Sequence, residues 1–329
     1  RYRMKEMYRS LDPVVAGDDN SLVYVYLMFD GLVELVPDTL EVRPALAASW
    51  SVSPDGLVYT FRLREGIRFH NGRGITSDDV AWSINRAVSH PTSQKKSFFS
   101  ALAGVTAPDP ATVVLTLSHP YDAFLAALAS EAGSVVPKEV YSLPDEPYLS
   151  RPVGSGPFMF ESSDTGISIT LARFAGHWKT PPVNPIQKFK VILIESSTTA
   201  LQEYLTGNLD YTQEMPPGQR RNLMKEHPGE FHHWTTQQIF YVGFNHAAGP
   251  MKGDLLLRRA ITHAIDHDFI VRVLQEEKDQ VATGLIPPGM LGHLPAQQGP
   301  PYDPNLAAAL LAQAGYPGGK GLPELTYVS

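Results

Sequence analysis

The chain has 329 residues, 43% hydrophobic and 10% aromatic, which is room for two domains or one large subdivided one and excludes a disordered chain. A net charge of −7 argues against a nucleic-acid partner, and no run of 18 apolar residues offers a membrane span. Cysteine is absent, which excludes disulfides and thiol chemistry but no compartment.

The 28 prolines and 26 glycines punctuate the chain throughout and predict many short elements, not a helical bundle. Tyr2 to Tyr8 reads as a first strand. Leu11-Asp12-Pro13 follows, then a polar loop, Gly17-Asp18-Asp19-Asn20. Ser21 to Leu32 is apolar on a helical period (Leu22, Val25, Tyr26, Phe29), with Asn20 or Asp19 as cap and Gly31 as stop. Pro44 to Trp50 is small and apolar. Val52 to Leu63 predicts a hairpin, because Ser53-Pro54-Asp55-Gly56 is turn chemistry. Leu57, Tyr59, Phe61 and Leu63 then alternate onto one face. Thr76-Ser77-Asp78-Asp79 opens a helix, with Thr76 accepting from the first turn and Asp79 returning the bond. Val80, Ile84 and Val88 form its buried face.

Thr112 to Leu117 alternates as a strand, and Pro120 to Ala129 predicts a helix begun by proline. In Val153-Gly154-Ser155-Gly156-Pro157-Phe158, two glycines around a serine require a sharp bend or a close approach. A tight crossover turn is the first reading and a functional loop the second. Ile167 to Phe174 and Phe189 to Ile194 are strands. Thr198 to Gly207 is a helix with Leu201, Tyr204 and Leu205 inward and Gly207 as left-handed cap. Leu209 to Thr212 is a short strand that opens onto Gln213 and Glu214. Ile239 to Asn245 is a further strand. Asp254 caps a helix from Leu255 to Ile265, with Arg258 and Arg259 outward. Tyr302-Asp303-Pro304 starts a helix that ends at Gly315, and Leu322 to Val328 is a strand.

No catalytic set assembles. His263 and His267 have zinc-ligand spacing on a helix, but Ala264 stands where a catalytic zinc helix carries Glu, so packed or exposed imidazoles are expected. His232 and His233 are adjacent and diverge. Ser155 lies in G-S-G-P, without the strand-to-helix elbow of a nucleophile. Of the paired carboxylates, Asp78-Asp79 is explained as a helix cap, leaving Asp18-Asp19. Neither a metal nor a cofactor is implied.

The run PALAASWSVSPDGLVYTFRLREGIRFHNGRGITSDDVAWSI resembles, in register over some forty residues, a segment of the family 5 extracellular solute-binding proteins. These are the oligopeptide, dipeptide and nickel receptors of ABC importers. The L-D-P opening, Val135-Val136-Pro137-Lys138, G-S-G-P-F, LARFAGHW, ALQEYLTGNLDYT, DLLLRRAITHAIDHDFI and Y-D-P through Ala-Gly-Tyr316 resemble further family motifs. Asn208 and His267 depart from the usual acid and base. The resemblance implies an α/β fold, periplasmic-binding-protein-like (type II, cluster C-like). Lobe one, a mixed sheet over residues 1–41 and 150–275, would carry an inserted α+β subdomain at 42–149. Residues 276–329 would be the hinge region and the start of lobe two, most of which lies beyond the chain. It implies a monomer, periplasmic or extracellular, membrane-associated if lipidated, that delivers a small ligand to an ABC permease by hinge closure. Arg1 to Lys5 has no signal-peptide core, as a mature exported chain would not.

The ligand implied is an oligopeptide or dipeptide, with nickel, haem, opine or sugar as family alternatives. The implied contacts are Gly17, Asp18, Asp19 and Asn20 after the L-D-P turn, Gln213 and Glu214, and Tyr241 on an aromatic strand. Against these stand a solvated loop for the acids and core packing for Tyr241. A regulator's sensing domain would need a helix-turn-helix before Arg1. An enzyme would need a nucleophile-base pair. The sequence offers neither.

Overall fold

The computed structural model describes residues 1–37, 39–143, 147–232, 238–288, 290, 292–295 and 299–327. The chain divides into two units, Arg1–Glu214 and Met215–Ser329. The first opens with β1 (Tyr2–Met4) and α1 (Asp19–Met28). The strand is shorter than expected and stops at Met4. The cap of α1 is Asp18, not Asp19 or Asn20. A cap needs extended backbone, which Asp18 has (φ −109°, ψ 152°), and its two neighbours are already helical. The inward face holds Tyr24, Val25, Met28 and Phe29, while Tyr26, expected inward, is exposed. The helix is apolar on nearly every side, so its period alone could not choose a face.

β2 (Val33–Leu35) and β3 (Val42–Pro44) pair as a small antiparallel ribbon. β4 (Ala47–Val52), β5 (Val58–Leu63), β6 (Leu102–Asp109) and β7 (Thr112–Leu117) form an antiparallel sheet in the order β4-β5-β7-β6. The turn at residues 53–56 joins β4 to β5 as expected, with Gly56 at φ +72°. Tyr59, Phe61 and Leu63 point inward. α2 (Ser77–Ser89) packs on β6 and β7. Asp79 accepts from the Thr76 N–H and from its hydroxyl, both at 3.0 Å, closing a capping box. Val80 and Ile84 are buried, but Val88 is 38% exposed and Ala87 takes its place. A four-residue step overshoots the 3.6-residue turn by about 40°, so the third position has rotated outward.

α3 (Phe124–Ala129) starts later than Pro120, because Tyr121 to Ala123 form a turn first and the Phe124 N–H donates to Tyr121 O at 3.0 Å. α4 (Lys138–Tyr141) follows. β8 (Phe158–Asp164), β9 (Ser168–Arg173) and β10 (Lys188–Leu193) complete a second sheet, ordered β1-β10-β9-β8. Its β1–β10 pair is parallel and the others antiparallel, so the sheet is mixed. α5 (Ser197–Leu205) buries Leu201, leaves the expected inward Leu205 exposed at its last residue, and ends near Gly207 at φ +78°. Two apolar clusters result. One, with Phe61, Phe69, Val80, Leu115 and Phe124, lies under the antiparallel sheet. The other, with Tyr24, Met28, Ile169, Leu171 and Val191, lies between the mixed sheet and α1.

The second unit holds α6 (Arg220–Glu226), α7 (Leu255–Ala264), α8 (His267–Phe269) and α9 (Pro304–Gln313), with α7 packed on α9. Asp254 and Asp303 cap α7 and α9 through the N–H groups of Leu257 and Leu306, both at 2.8 Å. Gly315 closes α9 at φ +95°. Ile239 to Asn245 is not a strand, and neither is Leu322 to Tyr327 (Val328 lies outside the described residues). A strand needs a lateral partner for its N–H and C=O groups, and among the described residues of this unit no strand is present.

Candidate functional site

Three chain segments run parallel at one edge of the first unit. β1 lies beside β10, and Tyr211 bridges Tyr2 in parallel on the other side of β1. The Arg3 N–H donates to Tyr211 O at 3.2 Å, and the Ile194 N–H to Met4 O at 2.9 Å. The carboxyl ends of all three therefore open on the same side. In α/β sheets that edge is where ligands are met, because the loops leaving it converge on exposed backbone. Loop 213–214 leaves the Tyr211 bridge there, and the chain leading to residues 17–20 leaves β1 there.

The structure places the expected contacts as follows. Glu214 accepts from Arg3 Nη1 at 2.8 Å. Gln213 Oε1 stands 3.5 Å from the Tyr2 hydroxyl, whose ring stacks on Tyr211 at 5.1 Å. Asp18 is drawn into α1: Oδ1 accepts from the Ser21 N–H at 3.0 Å and Oδ2 from the Ser21 hydroxyl at 2.6 Å. Ser21 Oγ in turn accepts from the N–H groups of Arg9 and Ser10 at 3.0 and 3.1 Å, which ties the loop back to the chain leaving β1. Asp19 and Asn20 form the first turn of α1. Gly17 sits against Gln94, where an added Cβ would come within 3.3 Å of Gln94 Cγ. Tyr241 belongs to the second unit and is 74% exposed, not packed in a core.

The motif residues around this edge hold structure together. Arg86 on α2 grips Asp12 of the L-D-P turn with two hydrogen bonds, at 2.9 and 2.6 Å. Both side chains are buried, and the guanidinium lies over Tyr141 and Tyr148. Burial weighs against the Arg86 charge, but the bonds to Asp12 outweigh it and its pKa is raised. His70 clamps the glycine loop: Nδ1 accepts from the Gly154 N–H at 3.2 Å and Nε2–H donates to Gly156 O at 3.0 Å. The bond accepted at Nδ1 needs a neutral ring, and burial, outweighing the bond to Gly156 O, lowers its pKa to about 4. An added Cβ on Gly154 would lie 2.0 Å from Met28 O, so the glycines allow a close backbone approach to the end of α1. Asp30 accepts from Trp178 Nε1 at 3.0 Å and pairs with His177. Ser155 Oγ accepts from the Asp30 N–H at 3.3 Å and is buried.

Sequence reasoning missed Arg3, Arg86 and His70 as fasteners. The signal existed for Arg86, a cation beside the apolar positions Ile84 and Ala87 on the buried face of α2. For Arg3, one cation in a three-residue strand, no pattern was available. The histidine pair does not share a helix: α7 ends at Ala264 and His267 starts α8. His263 is buried, with Nδ1 2.8 Å from Pro301 O. His232 is described and His233 lies outside the described residues. Among the described residues no helix is long and apolar enough to cross a membrane.

Residues 41–329 match the family described as bacterial extracellular solute-binding proteins, family 5 Middle. The chain is 30% identical over 316 residues to the glutathione-binding protein GsiB of Salmonella typhi, spanning 95% of this chain and 60% of that protein. Among solved structures, the Helicobacter pylori periplasmic binding protein DppA in complex with the peptide STSA superposes with a TM-score of 0.83 at 27% identity, over 96% of this chain and 66% of that one. The mannopinic acid complex of MoaA from A. tumefacien R10 gives 0.83 at 26% identity, over 96% and 65%. The chain thus spans about three fifths of the length of the curated relatives it matches, and its mixed α/β fold is that of periplasmic binding proteins. It belongs to family 5 of the bacterial extracellular solute-binding proteins.

Proposed function

We propose that the chain serves as the ligand-receiving part of a monomeric extracytoplasmic receptor that delivers a peptide to an ABC importer, and that it has no catalytic role. Lobe one takes residues 1–41 and 150–275, with 42–149 inserted and 276–329 leading to the hinge. Within the first unit, the ligand lies along the carboxyl edge of β1 and β10, against Gly17, Asp18, Asp19, Asn20, Gln213 and Glu214. The observation that carries this reading is the parallel convergence of β1, β10 and the Tyr211 bridge on one edge. The glutathione and peptide ligands named for two of the relatives support the peptide class. Opine binding is the second reading, supported by the mannopinic acid complex.

Thermal unfolding with added ligand tests it. Reduced glutathione, the peptide Ser-Thr-Ser-Ala and mannopinic acid are added separately in excess. A ligand at 100 times its Kd adds about 2.7 kcal/mol and raises Tm by several degrees. A rise with either peptide alone supports peptide delivery. A rise with mannopinic acid alone replaces it with the opine reading, and no rise with any of the three refutes binding of these classes by this chain.

A further inference from the structure

We propose that Arg3 is the positioning residue of the carboxyl edge, fastening the loop that leaves β10 to the loop that leaves Tyr211. Its guanidinium Nε donates to Ile194 O, Nη2 to Glu195 O and Nη1 to Glu214 Oε2, each at 2.8 Å. The side chain is 2% exposed. A planar fork with fixed donors can hold two consecutive carbonyls on one side and a carboxylate on the other at once. The backbone of the same residue donates to Tyr211 O at 3.2 Å. One residue thus meets all three converging segments. The two carbonyls carry no net charge, so Glu214 is the countercharge among these three acceptors that makes burial of the guanidinium tolerable.

The consequence for recognition rests on the reading of this edge as the ligand site. Glu214 directs its charge inward to Arg3, and a ligand meets the two as a neutral pair. Removing either partner changes what the edge offers. Without Arg3 the edge gains an anion and loses the register of both loops. Without the Glu214 charge it gains a buried cation.

Hydrogen exchange on the full chain decides the fastening, with the wild type compared with Arg3→Lys and Arg3→Met. Amide exchange should rise about tenfold or more in residues 194–196 and 212–214 together, the effect expected when hydrogen bonds to a buried charge are lost. The paired strands β5 and β7 and helix α2, which belong to the same unit as Arg3, should keep their wild-type protection, which shows that this unit has folded. Lysine keeps the charge but cannot span three acceptors, so Arg3→Lys should loosen both loops too, and it decides the matter if Arg3→Met fails to fold. Release of one loop only, or wild-type exchange in Arg3→Lys, overturns the proposal.

A second readout would not move for a merely structural residue. The peptides Gly-Glu-Gly and Gly-Lys-Gly are titrated against the wild type, Arg3→Met and Glu214→Gln. The preference should shift toward Gly-Lys-Gly in Arg3→Met and toward Gly-Glu-Gly in Glu214→Gln. An unchanged ratio in both sinks the charge argument. If neither peptide binds the wild type, the functional reading fails for tripeptides while the exchange result still decides the role of Arg3.

Discussion

The glycine-loop region and the carboxyl edge use charge and backbone in opposite ways. Around α1 and α2, the residues that make the chain resemble its family are buried or half-buried and paired inward. Asp12 holds Arg86, His70 holds Gly154 and Gly156, and Asp30 holds Trp178. At the edge, Gln213 and Glu214 reach Tyr2 and Arg3 of a three-residue strand. Motif density therefore marks where two clusters must be joined, and the positions proposed to face the ligand fall where the sequence is locally unremarkable. Buried pairs constrain residue type strongly because an unpaired buried charge is costly, whereas edge loops tolerate many residues.

The sharpest way to break this contrast is Asp12→Ala. It leaves the Arg86 guanidinium buried beneath Tyr141 and Tyr148 without its carboxylate. The expected loss is about 3–5 kcal/mol, read by denaturant unfolding. The double change Asp12→Ala with Arg86→Met should recover part of it, because no buried charge remains. A loss under about 1 kcal/mol for the single change would mean that this pair is no clamp and that the L-D-P aspartate is free for another role.

Acid comes next. Burial lowers the His70 pKa to about 4, from an ordinary value of 6.5. The unfolded chain therefore binds a proton at this site at higher pH than the folded one. The stability this group contributes is present above pH 6.5 and is lost as pH falls toward 4. Asp30 and His177 are the charged and titratable neighbours that act on the ring, in opposite directions. Together they leave burial dominant. A shift of this size is worth about 3 kcal/mol. Urea midpoints at pH 7 and pH 4.5 should differ by more in the wild type than in His70→Gln. Equal pH dependence would show that the ring is not held neutral.

Gly154→Ala follows. Its Cβ would meet Met28 O, which is backbone and cannot swing away. The expected cost is about 1–3 kcal/mol, read as a drop in Tm with the transition still cooperative. Gly66→Ala is the internal control. It has a positive φ of +72° but open space around it, so strain acts there without a clash.

These positions also show what was legible in the chain. The β4–β5 hairpin, the β7 strand, the Asp79 cap and the α7 and α9 caps were all readable, because turn and cap chemistry is local. The close approach of the glycine loop was readable as a need for small residues, but its partner, the end of α1, was not. The faces of α1 and α2 were read partly wrongly at Tyr26 and Val88, since only tertiary contacts choose among apolar positions. Ile239 to Asn245 carries strand composition without a strand, because pairing depends on what lies beside it. At the site, Gln213 and Glu214 came from a family resemblance. Arg3, which meets both neighbouring loops, left no local trace at all.

The smallest effect bears most directly on the site. Asp18 is a helix cap by geometry and a ligand contact by proposal, and the two roles separate by substitution. Asp18→Ala removes the acceptor for the Ser21 N–H and hydroxyl and should cost about 1 kcal/mol. Asp18→Ser keeps a capping oxygen without the charge and should stay within a few tenths of the wild type. Peptide affinity is then measured for both. If it falls equally in the two variants, the carboxylate itself touches the ligand. If it falls only in Asp18→Ala, the residue acts through α1, by setting where Asp19 and Asn20 stand. The second outcome would extend the inward-facing pattern of the glycine-loop region to the edge itself, and would leave the loop after β1 to recognise its ligand through Asp19, Asn20 and backbone.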